Sequence, residues 1–196
     1  MLFFANYLLG VTKAYSSTTQ QEREMLIKYA NGRKSVAEIG VYHGVNTANL
    51  ANAMDSSGVL FAIDPFFKGK LGFSSLRVIA MRETKRKASG RTIAWLRCLG
   101  HEAPERLAAY GCGLVEFLFI DGDHSYQGLE RDWRAWRRYI AIDGIVAFHD
   151  SIPNVQVGAT DDTGSVRYVR DVVSIDPLFK RIDRADSLSV FQRVGM

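Results

Sequence analysis

Apolar residues along this chain come either in short unbroken runs or at helical spacing, and the two kinds of stretch alternate. The unbroken runs are "SVAEIG" (35–40), "VLFAID" (59–64), "TIAWLRCL" (92–99), "LVEFLFID" (114–121) and "GIVAFHD" (144–150). Runs of this length, closed by glycine or a polar residue, read as strands buried on both faces. Helical spacing appears in "STTQQEREMLIKYANG". There Thr19 and Glu22 form a capping box, Met25, Leu26 and Tyr29 form a stripe, and Gly32 stands at the C′ position. It recurs in "NTANLANAM" and at Leu129, Trp133, Trp136 and Ile140, one face of a helix. A helix near 165–174 and two strand-like runs, "LFKRID" and "LSVFQRV", complete the pattern.

Strands alternating with helices predict an α/β fold, a single Rossmann-like doubly wound sheet with helices on both faces. Seven strands are expected, mostly parallel. The last two runs are joined by a turn too short for a crossover, so the final strand is antiparallel. The 196 residues suit one domain, assigned to 35–196. Residues 1–34 are read as an N-terminal helical, lid or oligomer-contact segment. Its start, "MLFFANYLLG", lacks the basic region and cleavage site of a signal peptide and is too short to span a bilayer. It predicts packing on the domain or on a second copy, as in a homodimer.

Composition narrows the class only modestly. Hydrophobic residues are 47%, charged residues 23% and the net charge is +4, the balance of a soluble globular protein. Cys98 and Cys112 have no CxxC partner, which argues against structural zinc and for a reducing, cytoplasmic setting. The basic stretch "MRETKRKASGR" (81–91) reads as a solvated helix end. "RDWRAWRRY" interleaves arginines with aromatics, as nucleic-acid binders do. The helical count, however, puts both tryptophans on the inward stripe and leaves the arginines in solvent.

Doubly wound sheets bind ligands outside the carboxyl ends of their strands. Here those ends read Glu38 to Gly40, Asp64, Gly100 to Glu102, Asp121 to His124, and His149 to Ser151. Gly40 and Gly44 lie in the turn from the first strand to its helix, where a backbone free of side chains can approach a ligand. A dinucleotide-binding turn would carry a glycine where Tyr42 stands, so a dehydrogenase is disfavoured. Asp64 ends the second strand, where a carboxylate accepts hydrogen bonds from both hydroxyls of a ribose. Glu38, inside an apolar strand, needs a partner such as a cofactor ammonium or loop amides.

Taken together, "EIGVYHG", "AIDPF", "FLFIDGDHSYQG" and "DGIVAFHDS" resemble class I S-adenosylmethionine-dependent methyltransferases. Within these, the similarity is to the small-molecule O-methyltransferases related to macrocin O-methyltransferase, and it runs from about residue 35 to 195. The resemblance implies a seven-stranded sheet with an antiparallel final strand. It implies that Glu38, Gly40, Tyr42 and Gly44 hold the methionine part of the cofactor, Asp64 the ribose, and His101 and Glu102 the adenine, with Asp121 at the cofactor's edge.

Methyl transfer to an alcohol needs alignment of oxygen, carbon and sulfur, and a way to strengthen a poor nucleophile. A general base and a divalent metal are the two available remedies. Asp121 and Asp150 end adjacent strands, so their carboxylates converge. The resemblance implies that Asp121 and Asp150 are metal ligands, with Mg²⁺ as the expected ion, and that His124 is the base. His149 departs from relatives that carry a carboxylate there; an imidazole suits a softer ion, and Ser151 is the alternative ligand. Asp123 and Tyr126 are read as a helix cap and a packed helix-start aromatic. "FFKGKLGFSS" (66–75) and "VQVGATDDTGSV" (155–166) are expected to wall the substrate space.

The reading is a metal-assisted O-methyltransferase acting on a hydroxylated small molecule, a sugar or glycosylated natural product. A nucleic-acid methyltransferase is the alternative, though an amino-methylating enzyme would carry an Asn/Asp-Pro-Pro-aromatic run in place of "IDGDH". A non-methylating, metal-binding relative of the same fold is the other.

Overall fold

The structure, a computed structural model, describes residues 2–70 and 72–195. Met1, Leu71 and Met196 lie outside the described residues, and with them the outer ends of the two expected segments and one residue of the expected 66–75 wall.

Seven strands form one sheet: β1 (Ser35–Ile39), β2 (Val59–Ile63), β3 (Thr92–Leu96), β4 (Val115–Ile120), β5 (Ile140–Phe148), β6 (Phe179–Ala185) and β7 (Leu188–Arg193). Their order is β3-β2-β1-β4-β5-β7-β6. Neighbours from β3 to β5 run parallel, and β7 lies antiparallel between β5 and β6. The tight turn before β7 forces that reversal, as the pattern predicted. The winding reverses between β1 and β4, which opens a crevice at their carboxyl ends.

The helices are α1 (Leu2–Leu8), α2 (Gln20–Ala30), α3 (Val45–Ala53), α4 (Ser75–Lys87), α5 (Tyr126–Trp136) and α6 (Gly164–Asp171). Successive strand residues point to opposite faces, so unbroken apolar runs feed two cores. Ala37, Ile39, Leu118, Ile120 and Phe148 pack with Trp133 and Trp136 of α5 and Tyr168 of α6. Val36, Leu60, Phe117 and Phe119 pack with Leu26 of α2 and Leu50 of α3. Thr19 caps α2 through the expected box with Glu22, and Gly32 follows in the left-handed region. Among the described residues no helix is long and apolar enough to cross a membrane.

Three boundaries differ from the sequence pattern. β3 stops at Leu96, and the chain then tightens into a short helical turn at Gly100–Glu102. Ile140 is not the end of α5: it opens β5, four residues before the expected start. An apolar residue at helical spacing satisfies either element, and here its pairing with Val115 of β4 decides. The last helix ends at Asp171, with a separate turn at Val173–Ile175.

Candidate active site

A cleft of about 780 Å³ opens over the carboxyl ends of β1, β2, β3 and β4. Gly40, Tyr42, Asp64, His101, Asp121 and His124, all expected at the site, line it. Tyr15 and Ser17 reach it from the segment before α2, and Tyr15 and Tyr42 bring their hydroxyls within 2.5 Å. Phe67 supplies part of the wall expected from 66–75. Residues 155–166 do not supply theirs: Asp161 and Val166 line a separate cavity of about 150 Å³ beside Ser151.

The turn after β1 is shaped by close approach. Gly40 has φ +91°, and a Cβ on it would sit 2.1 Å from the Asp121 carbonyl oxygen, so any side chain would push the ends of β1 and β4 apart. Gly44 is confined from the other direction: a Cβ there would lie 2.9 Å from the Ala80 backbone, which makes it a packing glycine against α4. Asp64 Oδ2 accepts from the amides of Val41 and Tyr42 at 3.1 and 3.3 Å, and Oδ1 accepts from Phe66 N at 2.7 Å. The acid therefore organises the turn and still faces the cleft.

Two expected cofactor contacts sit elsewhere. Glu38 is wholly buried beneath the turn, where Oε2 accepts from the Thr47 hydroxyl at 2.5 Å and Oε1 has no partner. Burial, opposed by the Thr47 bond and reinforced by Asp121 and Asp64, holds its pKa well above the usual carboxylate range. Glu102 folds back to accept from Leu99 N at 3.1 Å and closes its own turn, while His101 stays on the cleft wall.

At the opposite rim, four side chains from the loops after β4 and β5 converge. His149 is buried, with Nδ1 at 2.8 Å from Asp121 Oδ1 and 3.7 Å from Asp150 Oδ2. His124 Nε2 lies 3.5 Å from Asp121 Oδ1, and its Nδ1 lies 3.8 Å from Asp150 Oδ2. Donor atoms of Asp121, His124 and His149 all fall within 4.8 Å of one another. Asp150 occupies a left-handed turn, φ +47°, which swings its carboxylate back toward the cluster.

The sequence pattern missed one member. Glu22, the capping-box acid of α2, is buried with Oε2 at 3.3 Å from His149 Nε2. Its Oε1 accepts from both the amide and the hydroxyl of Ser187, in the turn before β7. Burial works against its charge, but His149, Ser187 and Thr19 outweigh it and bring its pKa down to about 2. For His149, burial is likewise overcome: Asp121 and Glu22, helped by Asp150, lift its pKa to about 10.

The cluster fits a divalent cation. Neither ring nitrogen of His149 meets its carboxylate in hydrogen-bond line, and Asp150 Oδ1 is buried without a partner. Neighbouring ligand atoms around a hard divalent ion with bonds of about 2.1 Å stand about 3 Å apart, and the spacings here run from 2.8 to 3.8 Å. By spacing, Asp121, His124 and His149 would hold the ion once His149 gives up its Nδ1 proton, with Asp150 Oδ2 3.7 Å from His149 Nδ1 at the edge of the set and Glu22 beside His149 Nε2. Ser151, the alternative ligand, is turned away: its hydroxyl donates to the Phe148 carbonyl at 2.8 Å.

The remaining expectations near this rim concern packing. Ser125, rather than Asp123, caps α5, while Asp123 accepts from Ser125 N at 2.9 Å. Tyr126 packs edge-on against Tyr168.

A family model described as "Methyltransferase domain" matches residues 37–151, more than half of the chain. Among solved structures, the O-methyltransferase TomG from Streptomyces achromogenes, described in complex with S-adenosylmethionine, superposes with a TM-score of 0.69 at 13% identity, over 97% of this chain and 86% of that one. The N-methyltransferase NodS from Bradyrhizobium japonicum gives 0.59 at 14% identity, over 90% and 96%. An rRNA methylase from Streptococcus thermophilus gives 0.58 at 10% identity, over 89% and 95%. At these identities the superpositions speak for the fold, and it is the family match over the glycine turn, Asp64 and the Asp121 and Asp150 strand ends that identifies the chain. It belongs to the methyltransferase-domain family and is a class I S-adenosylmethionine-dependent methyltransferase.

Proposed function

We propose that this methyltransferase acts on a hydroxyl oxygen of a small molecule, a sugar or glycosylated natural product, with His124 as general base and a divalent ion, Mg²⁺ or a softer neighbour, at Asp121, His149 and Asp150. The observation that carries this reading is the convergence of two carboxylates and two imidazoles on the rim of the cofactor cleft.

When bound, the cofactor supplies an electrophilic methyl group and the ion stabilises an acceptor alkoxide. The chain's residues do the rest. Gly40 leaves room for the methionine part at the end of β1, and Asp64 takes the ribose. His124, partly exposed beside Asp121, would take the proton from the acceptor hydroxyl, and the cofactor would supply the methyl group to the oxygen so freed and keep the bonding pair on its sulfur. Tyr15 and Tyr42 offer an aromatic wall to the acceptor next to the reacting atoms.

A small acceptor, and not nucleic acid, is favoured because both tryptophans of "RDWRAWRRY" are buried in the core. The unpaired cysteines favour a cytoplasmic setting. Leu2, Leu9 and Val11, exposed at the N-terminal segment, favour a homodimer, which sedimentation would test. The central experiment offers labelled S-adenosylmethionine with pools of sugars, phenols and nucleic acids, each with and without a chelator. Chelator-sensitive label on the hydroxylated small molecules is expected. Label confined to nucleic acid would overturn the reading, and label indifferent to the chelator would remove the ion from it.

A further inference from the structure

The first half of the chain carries a charge imbalance that the active site leaves unused. Residues 65–91 hold eight of the 25 Lys and Arg but only one of the 21 Asp and Glu, and without that stretch acids outnumber bases. Its one acid, Glu83, is buried and paired with Arg86 and Lys87 at 2.9 and 2.6 Å. Lys68, Lys70, Arg77, Arg82 and Lys85 are exposed, and none of them has an ion-pair partner among the described residues.

Apolar side chains stand open among these charges. Phe67, 76% exposed, precedes Lys68 in the loop after β2, and the exposed Phe73 closes that loop. On α4, Val78, Met81, Arg82 and Lys85 recur at i, i+3, i+4 and i+7 and share the outward face, while Ile79, Ala80 and Thr84 turn inward. The helix α1, which has no acid, lies alongside: the Phe4 ring stands 5.8 Å from Phe73, and the Tyr7 hydroxyl donates to the Ile79 carbonyl at 3.5 Å. Phe67 and Leu76 also line the cleft, so this basic and apolar face borders the cleft's mouth.

Three occupants could meet such a face, and its chemistry separates them. A second copy seated on it across a two-fold axis would set base against base, so a dimer through Leu2, Leu9 and Val11 would have to leave it open. A nucleic acid would use the charges but would leave Val78 and Met81 without a partner. A bilayer that carries anionic lipid takes both: apolar side chains enter the boundary between headgroups and acyl chains, and Lys and Arg reach the headgroup phosphates. We propose that the face built from residues 65–91 docks the protein on an anionic lipid surface, with Phe67 as an entering side chain. Docking of this kind lies on the surface and crosses nothing, in keeping with the lack of a membrane-spanning helix among the described residues.

Co-sedimentation of the full chain with two kinds of vesicle tests this, one of phosphatidylcholine alone and one of phosphatidylcholine mixed with phosphatidylglycerol. The protein should pellet with the mixed vesicles, stay in solution with the neutral ones, and be released as salt rises. Each Lys or Arg near an anionic bilayer contributes about fivefold in affinity, so Lys68→Gln, Lys70→Gln and Lys85→Gln together should weaken binding about a hundredfold. Phe67→Ser should weaken it about tenfold at unchanged charge. All four positions are exposed, and thermal midpoints close to wild type would show that the variants fold; the wild-type vesicle and salt measurements decide on their own if one does not. Failure to pellet with mixed vesicles, equal binding to neutral ones, or binding untouched by the triple variant overturns the proposal. So does a Phe67→Ser protein that binds mixed vesicles and single-stranded DNA as well as wild type does, because the face would then be a track for polyanions. A wild-type dimer that Phe67→Ser breaks would likewise give the face to a second copy.

Discussion

His124 and Asp132 are separable by what their removal should change. If His124 is the base, His124→Ala should lower kcat by about 10² to 10⁴-fold while affinity for S-adenosylhomocysteine stays close to wild type. Single-turnover kinetics and calorimetry would check both. A parallel loss of divalent-ion affinity would move His124 into the ligand set, where its distances to Asp121 and Asp150 also place it. Asp132, buried on α5 where it lines the cleft, carries a signature in pH. Burial, followed by the Asp123 charge, lifts its pKa on folding from an ordinary 3.8 to about 6, so the folded state holds this proton more tightly than the unfolded one. The sign follows: the cost to stability is absent below about pH 4, grows between the two values and is complete above about pH 6. Asp132→Asn should therefore gain stability over wild type at pH 8 and little at pH 4. Urea midpoints across that range would show it, and a difference that does not vary with pH would refute the burial argument.

Among the elements, α5 joins the core to the site. Its apolar stripe was visible from spacing alone, and Asp132 falls on the same face, three residues after Leu129 and four before Trp136. A polar residue on an apolar stripe was the available signal. Trp133 packs edge-on against Phe148 and Phe179, with centroids 5.5 and 4.7 Å away. Trp133→Ala should cost about 3–5 kcal/mol in denaturant titration. Arg134→Ala, on the solvated face with Glu130 at 3.0 Å, should stay within about 0.5 kcal/mol. At the turn after β1, Gly40→Ala meets both a φ of +91° and the Asp121 carbonyl. It should abolish cofactor binding and lower the thermal midpoint, because the β1 and β4 ends that frame the cleft cannot both stay in place.

At the scale of the whole molecule, the site is assembled from distant parts of the chain. Glu22, Asp121 and His149 belong to α2, the loop after β4 and the loop after β5, and Ser187, before β7, ties Glu22 to the far edge of the sheet. A divalent ion bound at this cluster should then stabilise the entire fold. At a hundredfold excess over its Kd it should add about 2.7 kcal/mol to unfolding. The gain should vanish on adding a chelator, and also in Asp150→Asn, which keeps a residue type tolerant of the left-handed turn. A thermal shift that persists in Asp150→Asn would take Asp150 out of the ligand set and leave the ion to Asp121, His124 and His149.

The sequence by itself determined the sheet, its antiparallel last strand, the strand ends that carry Asp64, Asp121 and Asp150, and the inward face of α5. Those features rest on periodicity and local turn chemistry, which act over a few residues and are written in order along the chain. Tertiary structure decided what depends on non-local approach. It decided that Ile140 pairs in β5 instead of ending a helix, that Gly44 packs on α4, and that Glu38 bonds Thr47 beneath the cleft floor. It also turned a capping glutamate at position 22 into the partner of His149, and set Asp132 against Gly100 on the cleft wall. A capping box and an amphipathic stripe describe one element's surface; which other element meets that surface is settled only when the sheet brings them together.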